Sequence, residues 1–346
     1  LPASARSHAV GSLGAGSPAL AGVSVAPEIA VWATVCALAS IATKGHSPRI
    51  TPRPVPRSVR PDFTMKAGYQ APSLDGARKD EFGRPKLPDT LTSMSFDGVS
   101  VKQPTAEHFR DSSGLDMFRL RAGSAVAELA PGRGGLITKF SVGGDEVLFL
   151  DRSTFADRKQ NVRGGIPVLF PIAGRLTGDR YQVGGQSFPM RQHGLARHAS
   201  WEVMDVQLAR VTMEFRSSPA TKVNFPFDFV LRMAVDLGRA GFRTLAIEVT
   251  IQNTGPRPMP THFGLHPYFL VPDQDRDRIR VEVDASYAYD NNSGDSGPWS
   301  GEVDLTVPSV DLHLSDLQSQ TVLLHIPGRT PRRIEMSDLF TTVVLW

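Results

Sequence analysis

The chain has 346 residues, 40% of them hydrophobic and 21% charged, with a formal net charge of +3 and one cysteine. These are globular proportions, and the single thiol, Cys36, excludes a disulfide framework and any cysteine-based metal or nucleophile chemistry over residues 62–346. Up to Arg60, six basic residues (Arg6, Lys44, Arg49, Arg53, Arg57 and Arg60) face one acid, Glu28, so the leader carries about +5 and the rest is near −2. The folded body therefore gives no reason to expect a nucleic-acid partner.

The first predicted element is that leader, residues 1–61. "LPASARSHAVGSLGAGSPALAG" is rich in Ala, Ser and Gly and is followed by the apolar, uncharged run Ile29–Thr43 and then by "KGHSPRITPRPVPRSVRP". The run is shorter than the roughly 20 residues of a membrane span, but it suits the apolar region of a signal or import sequence. A disordered, cleaved targeting leader is expected, addressed to a plastid or other organelle, with the secretory route or the cytoplasm as alternatives. The mature domain is expected to have no stable membrane insertion. Residues 62–105 are polar, contain Pro and Gly, and read as a linker.

From 106 to 346 the predicted class is all-β, a large antiparallel β-sandwich. Short apolar-alternating runs are separated by turn residues: "MFRLRA", "AVAELA", "GLITKFSV" and "EVLFL", then "SWEVMDVQL", "RVTMEFRS", "FVLRMAVDL" and "FRTLAIEVTIQN". In the last of these, Leu245, Ile247, Val249 and Ile251 alternate with Thr244, Ala246, Glu248 and Thr250, which predicts a strand with one wet face. "IRVEVD", "EVDLTV", "TVLLHI" and "TTVVLW" continue the pattern, and no run predicts a long amphipathic helix.

Three polar clusters interrupt the strands. In "NVRGGIPVLFPIAGR" no Lys-Ser/Thr follows the glycines, so a phosphate loop of the Walker type does not fit. The paired glycines suggest a turn where backbone and ligand approach closely. Arg163 there could meet a carboxylate, a phosphate or a sugar hydroxyl, or lie at the surface with no ligand. In "MRQHGLARHASWEV", His193 and His198 are too badly spaced to share a metal, whereas His193 and Arg197 fall on one face and Gln192 adds a neutral donor and acceptor. Imidazole, guanidinium and amide together suit a polyol or phosphosugar. Arg191 and His198 read as solvated or structural. In "PTHFGLHPYF", His262 and His266 have zinc-pair spacing, but Phe263 stands where such helices carry glutamate and Pro267 disfavours helix, so no metal is expected. A lone histidine is more often structural, but Tyr268 and Phe269 beside His266 offer aromatic surface on which a sugar ring packs.

At these clusters the sequence resembles the aldose 1-epimerase (galactose mutarotase-like) superfamily, and within it the glucose-6-phosphate 1-epimerase branch. The segments that carry the resemblance are "RGGIPVLFP", "QHGLARHASWEV", "NFPFDFVLRMAVDL", "LHPYF", "YAYDNN" and "GEVDL", in family order from about Asp116 to Trp346. The resemblance implies a supersandwich fold and a mutarotase with no cofactor and no metal, acting on a small-molecule sugar or sugar phosphate, and it leads us to expect a monomer. It implies His266 as general acid, a role that suits a histidine titrating near neutrality, with His193 lining the same pocket. It places Arg163, Gln192, Arg197 and Asp304 on ligand-binding positions, with Asp290 as the substitute for Asp304. Two departures qualify this. The family's general-base glutamate follows a "VVWNP"-like strand, whereas this sequence stops at "TTVVLW"; Glu335 precedes the strand and does not match. The 346-residue chain is therefore expected to be nearly inactive by itself. Pro267 stands where the phosphosugar branch usually has Thr, which leaves a free aldose as an alternative substrate. A non-catalytic sugar-binding or structural subunit is the reading from another class.

Overall fold

The computed structural model describes residues 28–36, 103–238 and 243–346. Glu28–Cys36 is a β-strand within the segment read as the apolar part of the leader; the rest of the leader, and the linker up to residue 102, lie outside the described residues. These form two compact units. The larger runs up to Leu270 and takes in Met336–Phe340, and the smaller comprises Val271–Glu335 and Thr341–Trp346.

The larger unit holds two antiparallel sheets. One takes Thr105–Arg110, Asp116–Ala122, Ala125–Ala130, Leu136–Val142 and Asp145–Glu146 in sequence order; the other contains Glu202–Gln207, Arg210–Arg216, Phe229–Leu237 and Thr244–Asn253, again in order. Consecutive antiparallel pairing needs only short turns, and the Gly-rich breaks in the sequence supply them. Phe229–Leu237 lies over Asp116–Ala122 and Ala125–Ala130, which makes the pair of sheets a sandwich. Its core joins Leu120, Leu129, Ile137 and Phe140 to Met213, Leu231, Met233, Val235, Ile247 and Val249, all buried. Cross-strand partners such as Met213 with Met233 and Leu231 with Ile251 share a face, and each buried side chain of this size contributes about 1.5–3 kcal/mol.

An aromatic chain fixes one end of this core. Trp201 stacks on Phe215, Phe215 meets Phe229 edge-on, and Phe229 meets Phe170 at 5.0 Å between ring centroids. Edge-to-face pairs add about 0.5–1.5 kcal/mol each beyond the area they bury. Phe170 and Trp201 also border the polar loops described below, so core packing and loop placement are coupled.

In the smaller unit Arg280–Asp290 pairs with Leu312–His325, which also pairs with Thr342–Leu345 and with residues Arg332 to Glu335 of the strand Arg332–Met336. Three expectations are corrected. "EVLFL" is a strand only at Asp145–Glu146; beyond it Leu148 and Leu150 make isolated bridges to Phe269 and Gly164. "EVDLTV" is not a strand but a turn, because the Asp304 carboxylate accepts from its own turn's Thr306 N–H (2.8 Å) and Thr306 hydroxyl (2.6 Å). In Thr244–Asn253 the wet face is confined to the C-terminal half, since Thr244 and Ala246 are buried along with Leu245 and Ile247. The helices among the described residues are single turns or a little longer, such as Arg152–Ala156 and Pro219–Lys222. No helix among them is long and apolar enough to cross a membrane.

Candidate functional site

The loop that carries Gln192, His193 and Arg197 is shaped by its backbone. Gly194 sits at φ +75°, and a Cβ there would lie 2.3 Å from the Phe170 carbonyl oxygen. That same oxygen accepts from the N–H groups of Leu195 (2.7 Å) and Ala196 (3.1 Å). A short 3-10 turn, Ala196–His198, then presents Arg197, and the Trp201 indole N–H donates to the Ala196 carbonyl at 3.1 Å. The loop is thus pinned to the aromatic core from beneath by its main chain.

His193 has a left-handed backbone, φ +67°, a region that histidine tolerates better than most residues. Its N–H donates to the Gly174 carbonyl (2.8 Å), and its ring Nδ1 accepts from the Gly174 N–H (3.1 Å). With Nδ1 committed as an acceptor, the neutral ring carries its proton on Nε2. Burial, then Arg197, then His266, push the His193 pKa down to about 4. His193 is therefore a neutral imidazole that offers one N–H.

The segment around His266 is extended, as Pro267 requires. His266 N–H donates to the Pro167 carbonyl, Tyr268 N–H to Gly165, and Phe149 N–H to the Tyr268 carbonyl, so main chain flanks this segment on both sides. Gly165, at φ +67°, allows the close approach; a Cβ there would meet the Ile137 carbonyl oxygen at 2.3 Å. The His266 ring lies 6.0 Å from that of His193, centroid to centroid, and 4.7 Å from that of Tyr268, edge-on. Burial and then Arg197 lower the His266 pKa, where the sequence had suggested a value near neutrality. Burial raises the Tyr268 pKa, while Arg197 and Arg163 act in the opposite direction.

The structure thus brings together His193, His266 and Arg197, with Tyr268 and the nearby charge of Arg163. Arg163 is exposed and follows half-buried Arg152–Ala156 by one loop; its N–H donates to the Thr154 hydroxyl at 3.0 Å. Arg197 is half-buried, with its guanidinium 3.5 Å from the Val162 carbonyl. Gln192 is exposed on the same loop, as are Arg191 and His198. His262 is exposed, and its N–H donates to the Pro171 carbonyl. Asp304 and Asp290 belong to the smaller unit, where Asp304 caps the turn already described and Asp290 accepts from the Asn292 N–H at 2.8 Å. Among the described residues no group of three His, Cys, Asp or Glu side chains could hold a metal ion.

Sequence reasoning missed two participants. Gly174, at the end of "NVRGGIPVLFPIAGR", drew no notice, yet its N–H sets the His193 tautomer. Arg133, in the glycine-rich "APGRGG" that separates two of the strand runs, drew no notice and is buried beside Arg197. An arginine inside a glycine-rich turn next to a strand was the available signal for it.

Comparison with known proteins follows the same lines. Residues 116–319 match the family described as Aldose 1-epimerase. The "Putative glucose-6-phosphate 1-epimerase" of Cenchrus ciliaris is 29% identical over 184 residues, covering 50% of this chain and 52% of that protein. The Salmonella typhimurium protein of the same name is 28% identical over 168 residues, covering 47% and 51%. The chain spans about half the length of the curated relatives it matches. Among solved structures, protein Slr1438 from Synechocystis sp. PCC 6803 is similar with a TM-score of 0.62 and 34% identity, covering 74% of this chain and 84% of that one. A galactose mutarotase-like protein from Lactobacillus casei ATCC 334 shares the fold, with a TM-score of 0.56 at 21% identity, covering 66% and 82%.

Proposed function

Because the chain belongs to the aldose 1-epimerase family, we propose that it interconverts the α and β anomers of a hexose, with glucose 6-phosphate as the preferred substrate. The observation that carries this reading is the His193–His266 pair, 6.0 Å apart and next to Arg197. Mutarotation needs a base at the anomeric O1 proton and an acid at the ring oxygen; the ring opens, the C1–C2 bond rotates, and reclosure delivers the other anomer. In this scheme His266 protonates the ring oxygen while the O1 proton is given up to water, the step that keeps the 346-residue chain slow. His193, held neutral with its proton on Nε2, donates a hydrogen bond to a sugar oxygen and does not compete for the transferred proton. Tyr268 offers the aromatic edge against which the sugar packs.

The cationic character of the site supports a phosphorylated substrate. Arg197 and Arg163 both act on Tyr268, and Arg197 also lowers the pKa of both histidines. An anionic group bound to these guanidinium groups offsets that field and favours the protonated form of His266. Binding of the substrate would then prepare its own acid. Gln192 completes the proposed set of sugar contacts. The acid-poor, arginine-containing leader supports a plastid or other organelle as the place of work.

The test is polarimetry of freshly dissolved α-glucose 6-phosphate and α-glucose with full-length protein and its His266→Ala variant. Faster anomerisation of the phosphosugar by the wild type is expected. If neither sugar turns over faster than with the variant, the enzyme reading is wrong; calorimetric binding of either sugar without turnover would favour a sugar-binding subunit. Equal rates for both sugars would remove the phosphate preference.

A further inference from the structure

Arg133 ends a short 3-10 turn, Pro131–Arg133, and is 8% exposed. Its guanidinium faces main-chain carbonyls. The two N–H groups of Nη2 are shared among the carbonyls of Asp157 (2.7 Å), Gln160 (2.9 Å) and Thr154 (3.0 Å), and Nε donates to Phe155 (3.2 Å). Nη1 lies 3.5 Å from the Arg158 carbonyl. The nearest acid, Asp157, has its carboxylate engaged by the Lys159 N–H and the Gln160 amide. A buried cation is normally paired with an anion; this one is balanced by the oxygen ends of peptide dipoles from a single loop.

That loop leads to the site. Thr154, whose carbonyl takes one of these bonds, also accepts from the Arg163 N–H through its hydroxyl. Val162, at the end of the loop, presents its carbonyl to Arg197. On the other side, the N–H of Gly134, next to Arg133, donates to the Ala199 carbonyl at 2.8 Å, directly after the turn that carries Arg197. Arg133 through its side chain and its neighbour Gly134 through its main chain thus tie the segment bearing Arg163 to the segment bearing Arg197.

We propose that Arg133 is a positioning residue: its guanidinium fork gathers the 154–160 carbonyls and thereby sets the separation of Arg163 and Arg197, the two arms that receive an anionic substrate. The inference rests on the proposed sugar-phosphate reading for its functional part, though not for its structural part. Charge alone does not suffice, because an ammonium has neither the planar fork nor the reach to serve four carbonyls. Phe155 and Val162 are buried in an apolar cluster with Leu115, Met117 and Leu136, so the loop keeps an anchor when Arg133 is replaced.

The experiment compares wild type, Arg133→Met and Arg133→Lys as full-length proteins. Hydrogen exchange over residues 152–163 is measured without ligand, and the anomerisation of glucose 6-phosphate is followed with it. Both variants are expected to fold, to exchange faster in that loop, and to lose about tenfold to hundredfold in kcat/KM, carried by KM with kcat within about threefold. The Lys variant should resemble Met, not wild type. Loop exchange unchanged in Arg133→Met, or a Lys variant with wild-type exchange and KM, overturns the proposal. A general stability role would lower the melting temperature and leave KM alone, which also overturns it. If wild type shows no activity on the sugar phosphate, the functional reading falls, and loop exchange alone decides whether Arg133 positions the loop.

Discussion

The loop Gln192–His198 and the turn Glu302–Val307 both project polar side chains from a β framework, yet they treat them in opposite ways. In the loop the main chain does most of the structural work: the Phe170 carbonyl, the Gly174 peptide and the Trp201 indole hold it, Arg197 keeps one long contact to the Val162 carbonyl, and Gln192 is left for another partner. In the turn the side chain is the structure, because Asp304 Oδ1 accepts both bonds from Thr306 and only Oδ2 stands outside them. Polar residues recognise a ligand strongly where the backbone has relieved them of other duties. This contrast ranks the expected effects of substitution.

The largest is at His266. If it is the general acid, His266→Ala lowers the anomerisation rate of glucose 6-phosphate by about 10²–10⁴-fold, read by polarimetry; a loss under tenfold would move the acid role elsewhere. Next comes Arg197→Met. Removing a charge-assisted hydrogen bond of about 1.5–3 kcal/mol weakens sugar-phosphate binding roughly 10- to 150-fold, measured by calorimetry, while free glucose binding changes little. Gly194→Ala tests the backbone half of the contrast: the left-handed conformation alone costs about 1–3 kcal/mol, and the clash with the Phe170 oxygen adds to it. Urea unfolding should show the loss; a variant of wild-type stability would mean the loop is held by its side chains.

The pH profile sharpens the role of Arg197. An acid catalyst works while protonated, so activity falls as pH rises through its pKa. In the free protein burial and Arg197 hold the His266 pKa below 6.5, and a bound phosphate opposes Arg197. The alkaline fall of kcat, which reports the complex, should therefore lie at higher pH than that of kcat/KM, which reports the free protein. With free glucose the two limbs should lie closer together. The smallest effect is expected at Gln192, where Gln192→Ala removes one neutral sugar hydrogen bond of about 0.5–1.5 kcal/mol and raises Kd by about tenfold at most. A larger rise would place the amide of Gln192 on a par with the guanidinium of Arg197.

Most of the sandwich was legible in the sequence because period-two alternation is local: Asp116–Ala122, Arg210–Arg216 and Phe229–Leu237 all lie where the pattern put them. Glu302–Val307 alternates equally well, but an aspartate two residues before a threonine can close a turn upon itself, and alternation does not register that competition. The polar clusters were legible from residue type, which singled out His193, Arg197 and His266. Their charge states were not, because the lowered pKa of each histidine comes from burial and from Arg197, both products of tertiary packing. Arg133 was hidden for the same reason: its partners are carbonyl oxygens, which every residue possesses and no side-chain pattern reveals.

The contacts at Gly165 and Gly194 are made by main chain against main chain, at Ile137 and Phe170. The course of these loops is therefore uncoupled from the side chains displayed on them. A library randomised at Gln192 and Arg163, with both glycines kept, should retain the scaffold's contour while changing its chemistry, which makes this frame a natural starting point for redirecting sugar preference.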